Sequence, residues 1–324
     1  MARVCALPAD RRATASTVAG AMSALPPEVT LVEVGARDGL QNEATVLPTP
    51  VKVELIRRMV SAGTRRIETA SFVHPRVVPQ MADAEAVMSE LGPSPARVGY
   101  IGLVLNRRGL DRALATPVDE VNFVVGASEA FNEANQGATV EETMSEIEDM
   151  VPEAAAGGRS TTVTISVAFG CPYEGEVDPA RVVAMAARAA AAGVDEIALG
   201  DTIGVAVPSD VAERIAAVRS VAAGAAIRCH FHDTRNTGIA NVCAALASGV
   251  TVLDASVGGS GGCPFAPDAT GNVATEDVLY TLLRMGVATG VDLDTTIETG
   301  RWLGEQLGRR LPAALGKSGT FPAR

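Results

Sequence analysis

Residues 226–233 read Ala-Ile-Arg-Cys-His-Phe-His-Asp. In an extended segment alternate side chains point the same way, so a strand running to this end carries both imidazoles on one face. The chain has only three histidines in 324 residues, and His230 and His232 are two of them. Neutral imidazole is a common metal ligand, and two side by side are most simply explained by a shared cation. An isolated His-X-His more often closes a strand as a half-buried polar pair. Here Asp233 follows at once, and a second carboxylate-bearing strand end, Arg37-Asp38-Gly39, lies near the start of the chain. The cation reading therefore leads.

Outward from this strand the chain repeats one unit. Short β-branched runs at 30–35, 66–70, 97–104, 119–125, 161–168, 194–199, 226–232 and 251–256 predict strands. Helical patterns fall between them at 50–62, 79–91, 107–115, 139–155, 178–192, 208–222, 236–248 and 275–288. Pro50, Pro208 and Asp178-Pro179 open three of these as helix N-termini prefer. Eight strands, each followed by a helix, describe a (β/α)8 TIM barrel. A doubly wound open sheet is the alternative, but no phosphate-binding GxGxxG follows the first strand. Residues 291–311 add one or two C-terminal helices. The expected organisation is a disordered extension over 1–28, one barrel domain over 29–311 and a tail over 312–324. The extension reads as a tail, or an upstream start before Met22, in preference to a transit peptide.

A barrel makes its own test, because reactive residues gather at the C-terminal ends of its strands. Arg37 and Asp38 follow strand 1, Glu68 ends strand 2 and Asn122 lies within strand 4. Asp201 follows strand 6, His230 and His232 end strand 7, and the glycine-rich loop 258–263 follows strand 8. Strand 8 closes onto strand 1, which brings the Asp38 carboxylate to the two imidazoles. Mixed nitrogen and oxygen donors suit Mg, Mn, Co or Zn with open positions. Arg37 adds a permanent cation, suited to a developing oxyanion. Glu68 stands where a barrel interior should be apolar and needs a partner, with Arg37 the obvious one. Asn272 offers a neutral oxygen ligand. Cys263 sits on a loop with four glycines in five residues, where its thiol can serve as a proton donor or, with a lowered pKa, as a nucleophile. Cys229 alternates away from the histidines, and Cys171, in a Gly-Cys-Pro turn, is assigned a structural role.

Composition removes several function classes. A net charge of −11 argues against nucleic acid, which demands clustered Lys and Arg. No apolar run approaches the roughly 20 residues that span a bilayer, so no membrane partner is expected. Five scattered cysteines without a CxxC predict no disulfide framework and fit a reducing cytoplasm.

With these residues in place, the chain resembles the 3-hydroxy-3-methylglutaryl-CoA lyases, metal-dependent lyases built on a TIM barrel. The matching stretches are VEVGARDGLQNE (32–43), IETASFV (67–73), VPQM (78–81), FGCPYEGEV (169–177), LGDTIGVA (199–206), HFHDTR (230–235) and GGCPFAPDATGNVATEDVLY (261–280). RDGLQNE separates the lyase branch from the synthases, which usually read RDGEQ. The resemblance implies metal ligation by Asp38, His230, His232 and Asn272, with Mg or Mn as cofactor. It implies substrate contacts by Arg37 and Gln41, supporting catalytic roles for Glu68 and Asp201, and proton transfer by Cys263. It further implies an acyl-CoA substrate, a homodimer, and a place in leucine catabolism and ketone body formation. The competing readings are a condensing synthase of the isopropylmalate or homocitrate type and a non-catalytic barrel that keeps metal or CoA binding.

Overall fold

The computed structural model describes residues 25–222, 224–263 and 266–321, with backbone alone at Cys263 and 266–270. Eight parallel strands close into a barrel: β1 (Thr30–Glu33), β2 (Arg66–Ser71), β3 (Gly99–Val104), β4 (Glu120–Gly126), β5 (Ser160–Ser166), β6 (Glu196–Asp201), β7 (Ala226–Phe231) and β8 (Val252–Ala255). Ring order follows chain order. β8 closes on β1, with Thr30 opposite Val252 and Glu33 opposite Ala255. The open-sheet alternative is thereby excluded.

The outer layer follows the sequence pattern with ends shifted by no more than three residues, except that the helix expected from 79 starts at Ala84, behind a 3₁₀ turn at Pro79–Met81. It consists of α1 (Thr49–Ser61), α2 (Ala84–Leu91), α3 (Arg107–Leu114), α4 (Glu129–Gln136), α5 (Val140–Ala156), α6 (Pro179–Ala191), α7 (Pro208–Val221), α8 (Gly238–Ala247) and α9 (Thr275–Met285). Polar caps set several starts. Asp178 Oδ1 accepts from the Ala180 N–H ahead of Pro179, and Thr139 and Glu142 form a reciprocal capping box on α5. Outward-facing Ile67, Tyr100, Phe123, Ile165, Leu199 and Phe231 pack under these helices in one continuous core.

Four features depart from the expectations. The end of strand 1 is not extended: Gly35–Gly39 forms a single π-helical turn, closed by Gly39 N–H donating to the Val34 carbonyl at 3.1 Å. The stretch 129–138 holds a helix of its own, α4, capped by Ser128. The turn at Cys171 is a small hairpin, Gly170–Cys171 against Gly175–Glu176, and a second pairs Gly262–Cys263 with Ala266–Thr270. Finally, ordered chain begins before residue 29, since the Pro27 carbonyl accepts the Ala288 N–H. The rest of the proposed extension, 1–24, lies outside the described residues. At the other end, α10 (Leu293–Leu307) and the short α11 (Leu315–Ser318) cover the barrel near the glycine loop, where Ala313 donates to the Gly258 carbonyl.

Two buried carboxylates fasten that loop. Glu33 accepts from the Val257 N–H and Thr275 hydroxyl, and Glu276 accepts from the Gly258 N–H at 2.8 Å. Gly258 has φ of +72° and a Cβ there would fall 2.3 Å from Leu311, so only glycine serves. Burial pushes Glu33 up to about 7 and Glu276 up to about 8. The folded state thus holds these protons more tightly than the unfolded chain, and their contribution is full in acid and lost as pH rises through those values. The share of thermal stability that these two carboxyls contribute should fall between about pH 5 and about pH 8. Glu276→Gln, which keeps the acceptor without the charge, should flatten that loss. Melting curves of the two proteins that superimpose at every pH would refute the assignment.

Candidate active site

Inward-facing positions carry the chemistry. The π-turn after β1 projects Arg37 and Asp38 over the barrel mouth, and strand alternation turns His230 and His232 inward from β7 while Cys229 and Phe231 join the outer core. Donor atoms of Asp38, His230 and His232 all lie within 4.8 Å of one another. The imidazole centroids are 5.1 Å apart, and His230 Nε2 lies 4.0 Å from Asp38 Oδ2. Residues 192 positions apart meet here because β8 closes on β1 and places β7 two strands away.

Asn272 completes the group. Its backbone bridges to His232, and its Nδ2 donates to Asp38 Oδ2 at 2.7 Å. Its Oδ1 is buried with no hydrogen-bond partner, as is His232 Nδ1. Buried acceptors without a protein partner, beside two imidazoles and a carboxylate, suit the shell of a bound cation. Charge points the same way. Contacts of 4.0 Å or less connect Arg37, Arg66 and Arg228 with Asp38, Glu68, Glu120, Glu196 and Asp254 through His230. Formally, three cations face five anions, an excess that one divalent ion would balance. The residues present therefore fit a divalent metal.

Burial raises Asp38, but Arg37, the two histidines and the Asn272 amide outweigh it and hold the carboxyl well below the usual range. It is a ligand in character and a poor base. Burial and the neighbouring His230 push His232 down to about 3, which keeps its imidazole neutral.

Arg37 has the partner that the sequence suggested. Its Nε donates to Glu68 Oε2 at 2.6 Å and its Nη1 to Asp38 Oδ1 at 2.6 Å. Glu68 is held in turn by Asn122 Nδ2 at 3.0 Å, and Asn122 by the Thr164 hydroxyl at 2.8 Å. A chain of hydrogen bonds across β2, β4 and β5 thus orients the guanidinium. Arg37, Asp38, Gln41, His230 and His232 line a cavity of about 570 Å³ whose outer wall includes the exposed apolar side chains of Val77 and Tyr173.

Asp201 does not join them. Its carboxylate turns outward and accepts the Val205 and Ala206 N–H groups at 2.9 and 3.2 Å, tying the loop after β6. Burial raises it to about 6. The β6 side chain is one residue out of phase with the inward face, a parity that the strand end one residue beyond Gly200 conceals in sequence. Cys263 occupies its hairpin, but its thiol lies outside the described residues. Cys171 is buried and accepts from the Ser128 hydroxyl at 2.9 Å. The sequence reading passed over Asp254, Arg228, Glu120 and Glu196. Acidic residues inside the predicted strands were the available signal, applied only to Glu68.

The description "HMGL-like" matches residues 28–303. This chain belongs to the HMGL-like family. Rat mitochondrial hydroxymethylglutaryl-CoA lyase is 42% identical over 289 residues, covering 89% of each chain. The (R)-citramalyl-CoA lyase of Chloroflexus aurantiacus is 43% identical over 300 residues, covering 90% of this chain and 95% of its own. Among solved structures, an HMG-CoA lyase from Acinetobacter baumannii in complex with coenzyme A and 3-methylmalate superposes with a TM-score of 0.87 at 35% identity, covering 92% of this chain and 97% of that one. Like its named HMGL-like relatives, the chain is a carbon–carbon lyase. The scaffold reading gives way to an enzyme, and the lyase names favour cleavage over condensation. Among the described residues no helix is long and apolar enough to cross a membrane.

Proposed function

We propose that this enzyme cleaves 3-hydroxy-3-methylglutaryl-CoA, or a close 3-hydroxy-3-alkylglutaryl-CoA, to acetyl-CoA and acetoacetate or its analogue. The observation that carries the reading is the Asp38–His230–His232 donor set beside Arg37 at the floor of one cavity. Asp38, His230, His232 and the Asn272 Oδ1 would hold Mg or Mn there, and the bound ion would supply a Lewis acid that lowers the pKa of the substrate hydroxyl. The hydroxyl proton passes to water in the open cavity, the C2–C3 bond breaks with its electron pair kept on C2, and C3 becomes a ketone. Arg37, held by Glu68, faces the oxygen on which negative charge develops. Cys263 on the glycine loop returns a proton to C2 of the thioester enolate. Gln41 lines the same cavity and binds the substrate. The apolar rim at Val77 and Tyr173 suits the thioester arm, and the Acinetobacter neighbour held with coenzyme A supports an acyl-CoA there. Assembly as a homodimer and a cytoplasmic location belong to the same proposal. The location is supported by free Cys171, Cys229 and Cys243.

A second substrate has its own support in the citramalyl-CoA lyase relative. The two esters differ by one methylene between the tertiary carbon and its carboxylate, a difference worth only about 1–3 kcal/mol in a pocket. Purified enzyme with Mg²⁺ is assayed on both esters, and acetoacetate release with the larger kcat/KM is expected. Preferential release of pyruvate would transfer the assignment to citramalyl-CoA. Condensation of acetyl-CoA with a 2-oxo acid, without cleavage, would overturn both.

A further inference from the structure

Below the two histidines the barrel interior is charged where branched aliphatic layers are usual. Arg66 Nη2 lies 2.8 Å from both Glu120 and Glu196, and both carboxylates face Arg228, at 3.7 and 3.4 Å. Arg228 reaches upward: its Nε is 3.4 Å from Asp254 Oδ1, an ion pair in which neither atom makes a hydrogen bond. The other oxygen, Asp254 Oδ2, is 3.1 Å from His230 Nδ1. Arg228 is 1% exposed and Asp254 7%. A column of alternating charge therefore runs from the base of the barrel to one imidazole.

We propose that Asp254, anchored by Arg228, is the positioning residue of the cation site: it accepts the Nδ1–H of His230 and so leaves Nε2, the nitrogen facing Asp38, as the lone pair for the divalent ion. The inference rests on the cation reading above. Its logic is one of donors and acceptors. A neutral imidazole carries one N–H and one lone pair, a carboxylate only accepts and a guanidinium only donates. Between Arg228 and His230, a carboxylate pairs its charge with the guanidinium, accepts from the imidazole and so fixes the tautomer. An amide cannot. Its oxygen must face the guanidinium, which turns its NH₂ toward Nδ1 and forces the Nε2–H form, which has no lone pair for a cation. Partners of this kind behind metal-binding histidines change metal affinity by about 10–100-fold when removed. Arg228 and the glutamates below it keep the Asp254 carboxylate from rotating, which explains why a narrow barrel tolerates so much buried charge beneath its site.

The full chain labelled with ¹⁵N-histidine gives only three imidazoles, His74, His230 and His232. In metal-free alkaline buffer, where the rings are neutral, long-range ¹H–¹⁵N correlations should show His230 protonated at Nδ1. Asp254→Asn should switch it to Nε2–H, and titration with Mn²⁺, read by loss of the free-ion paramagnetic resonance signal, should show affinity about 10–100-fold weaker. A buried residue that merely supports the fold would move the melting point and leave the tautomer alone. The wild-type spectrum decides the matter even if the variant fails to fold. Mn²⁺ binding by a wild-type chain with His230 in the Nε2–H form overturns this proposal alone, as does an Asp254→Asn chain with unchanged tautomer and affinity. A wild-type chain with the Nδ1–H form that binds neither Mn²⁺ nor Mg²⁺ overturns the cation reading on which it rests.

Discussion

Removal of divalent cations by EDTA should lower turnover by about 10³-fold or more, and added Mg²⁺ or Mn²⁺ should restore it. The magnitude follows from a Lewis acid's contribution of several kcal/mol, each ~1.4 kcal/mol being tenfold in rate. His232→Ala should reproduce much of the loss without chelator. It removes one of the three His and Asp donors within 4.8 Å and leaves Asp38, His230 and Asn272 to hold the ion. The side chain is 5% exposed and its Nδ1 has no partner in the protein, so its deletion breaks no internal hydrogen bond at that atom. The defect should therefore appear as a raised Mg²⁺ requirement and a lowered kcat, with the folded barrel intact by circular dichroism. Full activity in EDTA, or a His232→Ala enzyme with wild-type Mg²⁺ dependence, would remove the cation from the mechanism.

Cys263→Ser should lower kcat by a factor on the order of 10²–10⁴ while KM changes little. Serine keeps the size and a hydroxyl but raises the proton-donor pKa by several units, so a step that returns a proton to C2 suffers and ground-state binding does not. The loop around it is built to hold a fixed stem and a permissive tip. Val257 and Gly258 N–H groups are anchored on Glu33 and Glu276, the Ser256 and Ser260 hydroxyls lie 2.7 Å apart, and Gly258, Gly259 and Gly261 all have positive φ. Gly39 and Gly261 leave room for this stem against the π-turn, since a Cβ at Gly39 would fall 2.3 Å from Ser260 Oγ and one at Gly261 would meet Asn272 Nδ2 at 2.7 Å. The stem thus touches the turn that carries Asp38. A Cys263→Ser enzyme with near-normal kcat would reduce the loop to a cover for the cavity.

Local periodicity made the eight strand–helix units legible, because a strand with one face under helices repeats every two residues and a covering helix every 3.6. Arg37, Asp38, Glu68, His230 and His232 stood out for a related reason: polar side chains at the ends of apolar runs need a partner wherever the chain folds. The pairing of Arg37 with Glu68 followed from that need alone. The π-turn at 35–39 was not legible, since its Gly35 N–H is held by Glu33 and its Gly39 packs against Ser256 and Ser260, which arrive from the far end of the chain. Asp201 looked like a site residue because distance along the chain from a strand start does not say which face its last residue takes. Asp254 and Arg228 were passed over for the opposite reason. Each is one charged residue in an apolar strand, and only the register of β6, β7 and β8 stacks them beneath His230. Sequence by itself determined the barrel and the residue types at its mouth, because these depend on contacts within one strand–helix unit. Which nitrogen meets which carboxylate was decided by closure of the ring, where a one-residue change of register would turn every inward side chain out.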